Sequence, residues 1–439
     1  MKIASCTDAA GSSSGARRAA AMLALIVAGE AVFMLPFVVA RVFRTTFLEV
    51  FALSNFQLGS AFSVYGMVAM ASYFFGGPLA DRFAARTLIV LALVATASGG
   101  IVFATIPSIS VLTLLYGFWG LTTILLFWAA LIRATREWGG DDAQGRAYGV
   151  LDGGRGLLAA TLASSAVFVF ARLLPADAST ASAAQLASAM RAIILATTGF
   201  TLFAALLAWL ALPASRPLAA RERQRLNWAG VRSAARLPAV WAQATVIVCA
   251  YVAYKVTDIF GLYAHDVLGY DEVAAARIGA LTFWARPIAA LCAGFLADRY
   301  TATRSLVFGF VLLGAGAAVL GTDLLPLQIP ALFVILLAAT SLGIYGVRGI
   351  YFSVMNEMRL PLAITGSAVG LVSVIGFTPD IFAGPAIGAL LDRDPGAVGH
   401  HHVFLMMAAF ALIGLIASLT LLRLTRAAKR DGHAMPPSS

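Results

Sequence analysis

Residues 77–83 read Gly-Pro-Leu-Ala-Asp-Arg-Phe, and residues 294–300 read Gly-Phe-Leu-Ala-Asp-Arg-Tyr, a near-copy at an offset of 217 (298 minus 81). Each copy is a short charged break after a long apolar run. A second echo pairs Gly145, Ala147 and Gly149 with Gly366, Ala368 and Gly370 at an offset of 221 (366 minus 145). Two echoes at nearly one offset indicate a duplicated chain.

What lies between the breaks sets the solvent. The 439 residues are 60% hydrophobic and 12% charged, against a charged fraction of about 25% in soluble domains, and mean hydropathy is +0.88. A water-soluble fold has no interior large enough for that apolar surface. About 20 consecutive apolar residues cross the hydrocarbon core as a helix, and helices satisfy their own backbone there. Hydropathy predicts twelve spans, at 19–40, 58–77, 87–106, 110–132, 148–172, 190–212, 238–262, 276–297, 305–323, 330–355, 363–391 and 403–422. The fold class is therefore all-α integral membrane, with twelve transmembrane helices in two pseudo-symmetric six-helix bundles, 19–212 and 238–422. Residues 1–18 and 423–439 are tails and 213–237 a basic linker.

Charge placement orients the chain, because cytoplasmic loops are enriched in Lys and Arg. Of the 31 Lys and Arg, 21 fall on the side that holds both termini and six (Arg41, Arg44, Arg172, Arg191, Arg277 and Arg393) on the other. Four more, Arg155, Lys255, Arg286 and Arg348, fall inside spans. Both termini are thus expected in the cytoplasm of a multi-pass inner (plasma) membrane protein. The linker carries Arg216, Arg221, Arg223, Arg225, Arg232 and Arg236; such a run can bind acidic lipid, though a solvated topology anchor is the plainer reading.

Several classes are excluded on the same grounds. The net charge of +10 is dispersed through short loops, not gathered on one face as nucleic-acid binding needs. Cys6, Cys249 and Cys292 have no paired spacing, so neither a disulfide framework nor a thiolate metal site is indicated. The first apolar run is too long for a signal peptide and many spans follow it. The spans hold no Gly-rich phosphate cradle with a following Lys, and no nucleophile, base and orienter grouping. An enzyme is not indicated, and no cofactor or metal is implied. His400-His401-His402, beside Asp392 and Asp394, is expected in the loop before span twelve; a metal site there is conceivable, but a solvated polar loop is the commoner outcome.

With twelve spans and the duplicated heptapeptide in hand, the chain resembles the major facilitator superfamily. That family carries a glycine, then Asp-Arg, then a basic residue between helices two and three. Gly77, Asp81, Arg82 and Arg86 match this motif, and Gly294, Asp298, Arg299 and Arg304 match its weaker second copy. The resemblance implies a gating latch, not solute contact, for these residues; a bare membrane-boundary marker is the alternative. It also implies parallel repeats with a solute site between them near the midplane. A looser similarity is to the branch that exchanges organophosphates for phosphate: Gly145-Arg146 followed by Gly149, Leu151, Asp152 and Arg155 is similar to the entry of its fifth helix. That branch also uses one arginine in each of helices one and seven, where this chain offers Arg41 and Lys255. The similarity implies an anionic solute.

Ionisable side chains at bilayer depth cost at least about 2.5–3.5 kcal/mol each and normally face a partner or a watery cavity. Here they are Glu30, Asp152, Arg155, Lys255, Asp258, Arg286, Arg348 and Asp380. Asp152 and Arg155, like Lys255 and Asp258, are three apart and share a helix face. The second pair reads equally as a structural ion pair or a solute contact. Around Arg155, Gly149, Gly153, Gly154 and Gly156 strip away bulk, so its planar fork, suited to carboxylate, phosphate or sulfonate oxygens, is the first candidate for solute binding. Arg348, flanked by Gly346 and Gly349, is the next, with a salt bridge as the alternative. Glu30, Asp258 and Asp380 are candidates for proton coupling, since burial raises a carboxyl pKa. Asp380 follows Pro379, which interrupts the helix. Glu30 calls for an arginine on another helix.

The expected function is secondary active transport of a small organic anion (sugar acid, organophosphate, sulfonate or carboxylate) by alternating access, coupled to a proton or a counter-anion. The expected partners are that solute, the coupling ion and the lipid bilayer, with the chain a monomer. A proton-driven exporter of amphipathic drugs or metabolites is the alternative.

Overall fold

The computed structural model describes residues 7–140, 144–213, 228–322, 324, 326, 328–358 and 362–431. Among them, twelve helices are long and apolar enough to cross a bilayer: α1 (Gly15–Val42), α2 (Asn55–Arg82), α3 (Ala85–Ala104), α4 (Ile109–Gly139), α5 (Arg146–Leu173), α6 (Ala183–Ala211), α7 (Pro238–Asp266), α8 (Glu272–Ala297), α9 (Ala302–Leu320), α10 (Pro330–Ile350), α11 (Ala368–Arg393) and α12 (Ala397–Ala427). Each predicted span has its counterpart. The ends differ because caps, not hydropathy, set them. Span nine, expected from 305, begins at Ala302 behind the Thr301 side chain, which accepts from the Arg304 N–H. Span ten, expected to reach 355, stops at Ile350. Arg216, Arg221, Arg223 and Arg225 of the basic linker lie outside the described residues, while Arg232 sits on a short helix, Trp228–Ala235.

Local chemistry explains the starts. Ser182 and Gln185 close a reciprocal capping box ahead of α6, satisfying two orphan N–H groups. Asp271 accepts the Ala274 N–H at 2.6 Å ahead of α8. Pro238 and Pro330 occupy the first turns of α7 and α10, where the missing N–H costs nothing. Hydroxyls inside the bilayer are satisfied locally: Thr197, Thr198 and Thr201 donate to carbonyls four residues back at 2.8–2.9 Å.

Among the described residues, four spans are irregular within their length. α1 widens to π turns over Met34–Val38, around Pro36, and α4 over Leu121–Trp128. α7 tightens to a 3₁₀ turn over Thr257–Ile259. Helical structure in α11 stops at Gly376 and resumes at Pro379. Such interruptions are tolerated at membrane depth where protein or a watery cavity covers the freed backbone, and π turns recur at functional sites.

The chain forms two compact units. Unit one holds α1, most of α2 and α3–α6 around a core that includes Leu25, Ile89, Leu93, Phe127 and Leu131. Unit two holds α7–α12 around Ile247, Phe260, Phe310, Phe333, Ile344 and Phe404. It also takes Phe43–Leu48 and Leu53–Ser63, segments that the sequence places in the first half; α2 therefore begins in unit two and ends in unit one. Large apolar side chains also point outward, with Leu210 at 73%, Leu291 at 77% and Phe295 at 71% exposure. Lipid is the solvent that makes such a surface stable.

Candidate functional site

In unit one, α1 and α5 bring Glu30 and Arg155 together. Glu30 is buried at 3% exposure, and its Oε2 lies 3.6 Å from Arg155 Nε, an ion-pair distance too long for a hydrogen bond. The arginine of another helix that Glu30 calls for is thus Arg155, while Asp152, its expected face-mate, is exposed. Close approach is possible because Gly29 has no side chain: a Cβ there would meet Arg155 Cδ at 2.9 Å. Aromatic rings complete the surroundings. The guanidinium lies 5.8 Å from the Phe33 ring centre, and Phe33 meets Trp128 edge-on at 6.3 Å. Further along α1, Phe37 packs on Tyr65 at 4.7 Å, whose hydroxyl pairs with Thr123 Oγ1 at 2.7 Å in the π-helical stretch of α4. Arg41 is buried at the far end of α1.

In unit two, Lys255 Nζ lies 2.7 Å from Asp380 Oδ1, and the Tyr251 hydroxyl donates to the same carboxylate at 3.1 Å and 3.2 Å. The break in α11 positions Asp380: Pro379 restarts the helix and places the carboxylate in its first turn, where the dipole favours negative charge. The guanidinium of Arg348 sits 3.6 Å from the Tyr254 ring centre and 5.3 Å from that of Tyr251, held by cation–π attraction. Tyr345 lies 6.1 Å edge-on to Tyr254. Asp258 is buried in the 3₁₀ turn of α7 and lines a small pocket with Arg44, Lys255 and Asp380. Lys255 thus pairs with Asp380 of α11. Arg286 is half-buried in α8.

Sequence reasoning missed the tyrosines. Tyr251, Tyr254, Lys255 and Asp258 fall at i, i+3, i+4 and i+7, one face of a helix, and Tyr345 precedes Arg348 by three. Polar aromatics in phase with buried charges were the available signal.

The duplicated heptapeptide marks two helix ends. At the first, Arg133 of α4 donates through Nη1 to the carbonyls of Ala80 and Phe83, at 2.6 Å and 3.3 Å, and through Nε to Glu137 at 2.7 Å. It thus covers the orphan carbonyls of α2. Gly77 is exposed, Asp81 half-buried and Arg82 exposed, and Arg86 stacks on Trp209 at 4.5 Å. At the second, Arg299 and Arg304 are exposed, and the Asp298 side chain lies outside the described residues. A Cβ on Gly294 would meet nothing within 4 Å. Here Glu357 accepts the Ala302 and Thr303 N–H groups at 2.5 Å and 3.4 Å, capping α9. Neither Arg133 nor Glu357 was expected from the motif.

The three histidines are helical, not in a loop. Gly396, with φ of +81°, ends the turn and α12 starts at Ala397. His400 is then buried at 1% exposure, its Nε2 3.1 Å from Asp266 Oδ2 and its ring edge-on to Tyr263 at 5.3 Å. His402 stays near the surface, 3.3 Å from Asp394.

Twelve apolar helices, buried charge pairs within them and broken spans beside those pairs define a polytopic membrane transporter. The chain belongs to the Major Facilitator Superfamily, whose family model matches residues 19–345. It is 27% identical to Inner membrane protein YqcE of Escherichia coli (strain K12) over 399 residues, covering 88% of this chain and 90% of that one. Inner membrane protein YihN of the same organism is 23% identical over 410 residues, covering 93% and 96%. Among solved structures, a bacterial homologue of the human lysosomal transporter Spinster, inward-facing and unoccupied, superposes with a TM-score of 0.70 at 13% identity, covering 96% of this chain and 99% of that one. The nucleoside transporter NupG gives 0.64 at 15% identity, covering 92% and 98%. Family and fold are those of transporters, not enzymes.

Proposed function

We propose that this transporter carries a small organic anion (a sugar acid, organophosphate, sulfonate or carboxylate) by alternating access, with both termini in the cytoplasm. The observation that carries the reading is the Lys255–Asp380 pair at 2.7 Å, flanked by the tyrosine-held guanidinium of Arg348. Asp380 occupies the position an anionic solute would take. A solute carboxylate or phosphate that competes for Lys255 and Arg348 displaces Asp380, and a displaced buried carboxylate takes up a proton because its charged form loses its partner. Solute and proton binding are then linked at one residue, which gives proton symport; exchange against a counter-anion uses the same competition without the proton. Four cations that the sequence places inside spans, Arg155, Lys255, Arg286 and Arg348, are buried or half-buried, which favours an anionic solute. Within unit one, Arg155, released from Glu30, is the candidate solute contact, with Arg41 and Asp152 secondary to it.

Counterflow in proteoliposomes tests the reading with a panel of sugar acids, organophosphates, sulfonates and carboxylates. At least one anion is expected to exchange, and Arg155→Ala to abolish the exchange. Transport of none of them, or equal transport by the variant, overturns it.

The second reading, proton-driven export of amphipathic drugs or metabolites, draws on the aromatic surroundings of Glu30: Phe33, Trp128, Phe37 and Tyr65. Uptake of dyes into inverted vesicles under an imposed pH gradient separates the two.

A further inference from the structure

At one end of unit two, the start of α2 is held by a side chain from α11. The N–H of Asn55 donates to Asp392 Oδ1 at 3.0 Å and that of Phe56 to Oδ2 at 2.7 Å. These are orphan donors at the positive end of the helix dipole. α2 does not need them to start. Ser54 and Gln57 already form a reciprocal box, with Ser54 N–H to Gln57 Oε1 at 2.9 Å and Gln57 N–H to Ser54 Oγ at 3.2 Å, the arrangement that caps a helix from within its own sequence. The consequence of Asp392 is therefore to hold α2 against α11. Arg44 steadies the grip, donating to Asn55 Oδ1 through Nη2 at 2.9 Å and Nε at 3.3 Å.

The seam beneath is backbone on backbone. A Cβ on Gly59 would run into the Gly384 carbonyl, and one on Gly388 would lie 2.5 Å from Phe56 Cα. Behind it lies the small pocket lined by Arg44, Gly59, Lys255, Asp380, Gly384 and Ile387. Above it, a cavity of ≈ 370 Å³ bordered by Ser54, Asn55, Asp266, Asp392 and His400 brings water to the carboxylate. A solvated, single-residue hold of this kind forms and breaks reversibly, as a gate requires.

We propose that Asp392 is a latch: its carboxylate on the N-terminus of α2 keeps this end shut over the Lys255–Asp380 pair, and the end opens when α2 leaves α11. Under the charge asymmetry of the loops this is the outer end. The proposal rests on alternating access and not on the identity of the solute, so its test needs no solute.

Ile387 is 4% exposed and lines the pocket behind the seam. With Cys6, Cys249 and Cys292 replaced by Ala, Ile387→Cys is labelled by a membrane-impermeant maleimide applied in turn to each face of membrane vesicles. Asp392→Asn, nearly isosteric, is expected to speed labelling from one face by about fivefold, the scale of one lost charge at a helix start. Asp392→Glu is expected to keep the slow rate. Leu337→Cys, 2% exposed in the core of unit two, controls for general loosening. Phe62→Cys reports on the same cavity from the α2 side if Ile387→Cys fails to fold. Unchanged labelling in Asp392→Asn, or equal acceleration at Leu337→Cys, overturns the latch.

Discussion

Nζ of Lys255 and Oδ1 of Asp380 are 2.7 Å apart, joining α7 just before its 3₁₀ turn to the restart of α11. Removing one partner of a buried pair leaves an uncompensated charge and costs about 3–5 kcal/mol, whereas removing both is often near neutral. Lys255→Ala and Asp380→Ala are each expected to lower the thermal unfolding midpoint in detergent, and the double variant to recover most of the loss. Additive losses would show that the pair does not act as a unit.

The same pair separates coupling from binding. Asp380→Asn keeps the hydrogen-bonding shape but holds no proton. It is expected to retain solute counterflow while losing accumulation driven by a pH gradient. If accumulation survives, proton uptake occurs elsewhere, with Glu30 or Asp258 next to be tested in the same way.

Arg155 is held between Glu30 and the space left by Gly29. Arg155→Lys keeps the charge but loses the planar fork, and a tenfold rise in KM is expected, corresponding to about 1.4 kcal/mol. Gly29→Ala, whose Cβ would meet Arg155 Cδ at 2.9 Å, is expected to raise KM several-fold by pushing the guanidinium aside, with expression unchanged. Solute titration of initial uptake rates reads both.

Tyr254 holds Arg348 by its ring face at 3.6 Å. Desolvated cation–π contacts are worth about 2 kcal/mol, so Tyr254→Leu is expected to weaken solute binding by an order of magnitude or more. Tyr254→Phe, which keeps the ring, is expected to stay within a few-fold of the parent. Equal losses would assign the effect to the hydroxyl.

At the duplicated motif, Arg133→Ala removes the donor that covers the Ala80 and Phe83 carbonyls. A lower maximal rate with little change in KM is expected, because the residue touches a helix end and not the solute. A change confined to KM would contradict a gating role.

Legibility followed distance along the chain. The repeat, the twelve spans and the break at Pro379 are local or periodic patterns, and the spans and the break each have their counterpart in the structure. Pairings were not legible. Lys255 meets Asp380 and Arg155 meets Glu30, each 125 positions away along the chain (380 minus 255, 155 minus 30). A helix face says which residues point one way; only neighbouring helices say what they meet. The histidines were misplaced for a related reason, since three polar residues read as a loop until Asp266 and Tyr263 supply partners that make His400 worth burying.

The amino-acid sequence alone determined that this protein is a duplicated, twelve-helix membrane chain of the Major Facilitator Superfamily, because bilayer thickness and backbone hydrogen bonding leave apolar runs of that length few alternatives. Only the tertiary structure decided which buried charges neutralise one another, that tyrosine faces hold Arg348, and that Asp392 caps α2. Those contacts join residues from 94 positions apart (348 minus 254) for Tyr254 and Arg348 to 337 for Asp392 and Asn55, and their strength depends on distances of a few ångströms that packing alone sets.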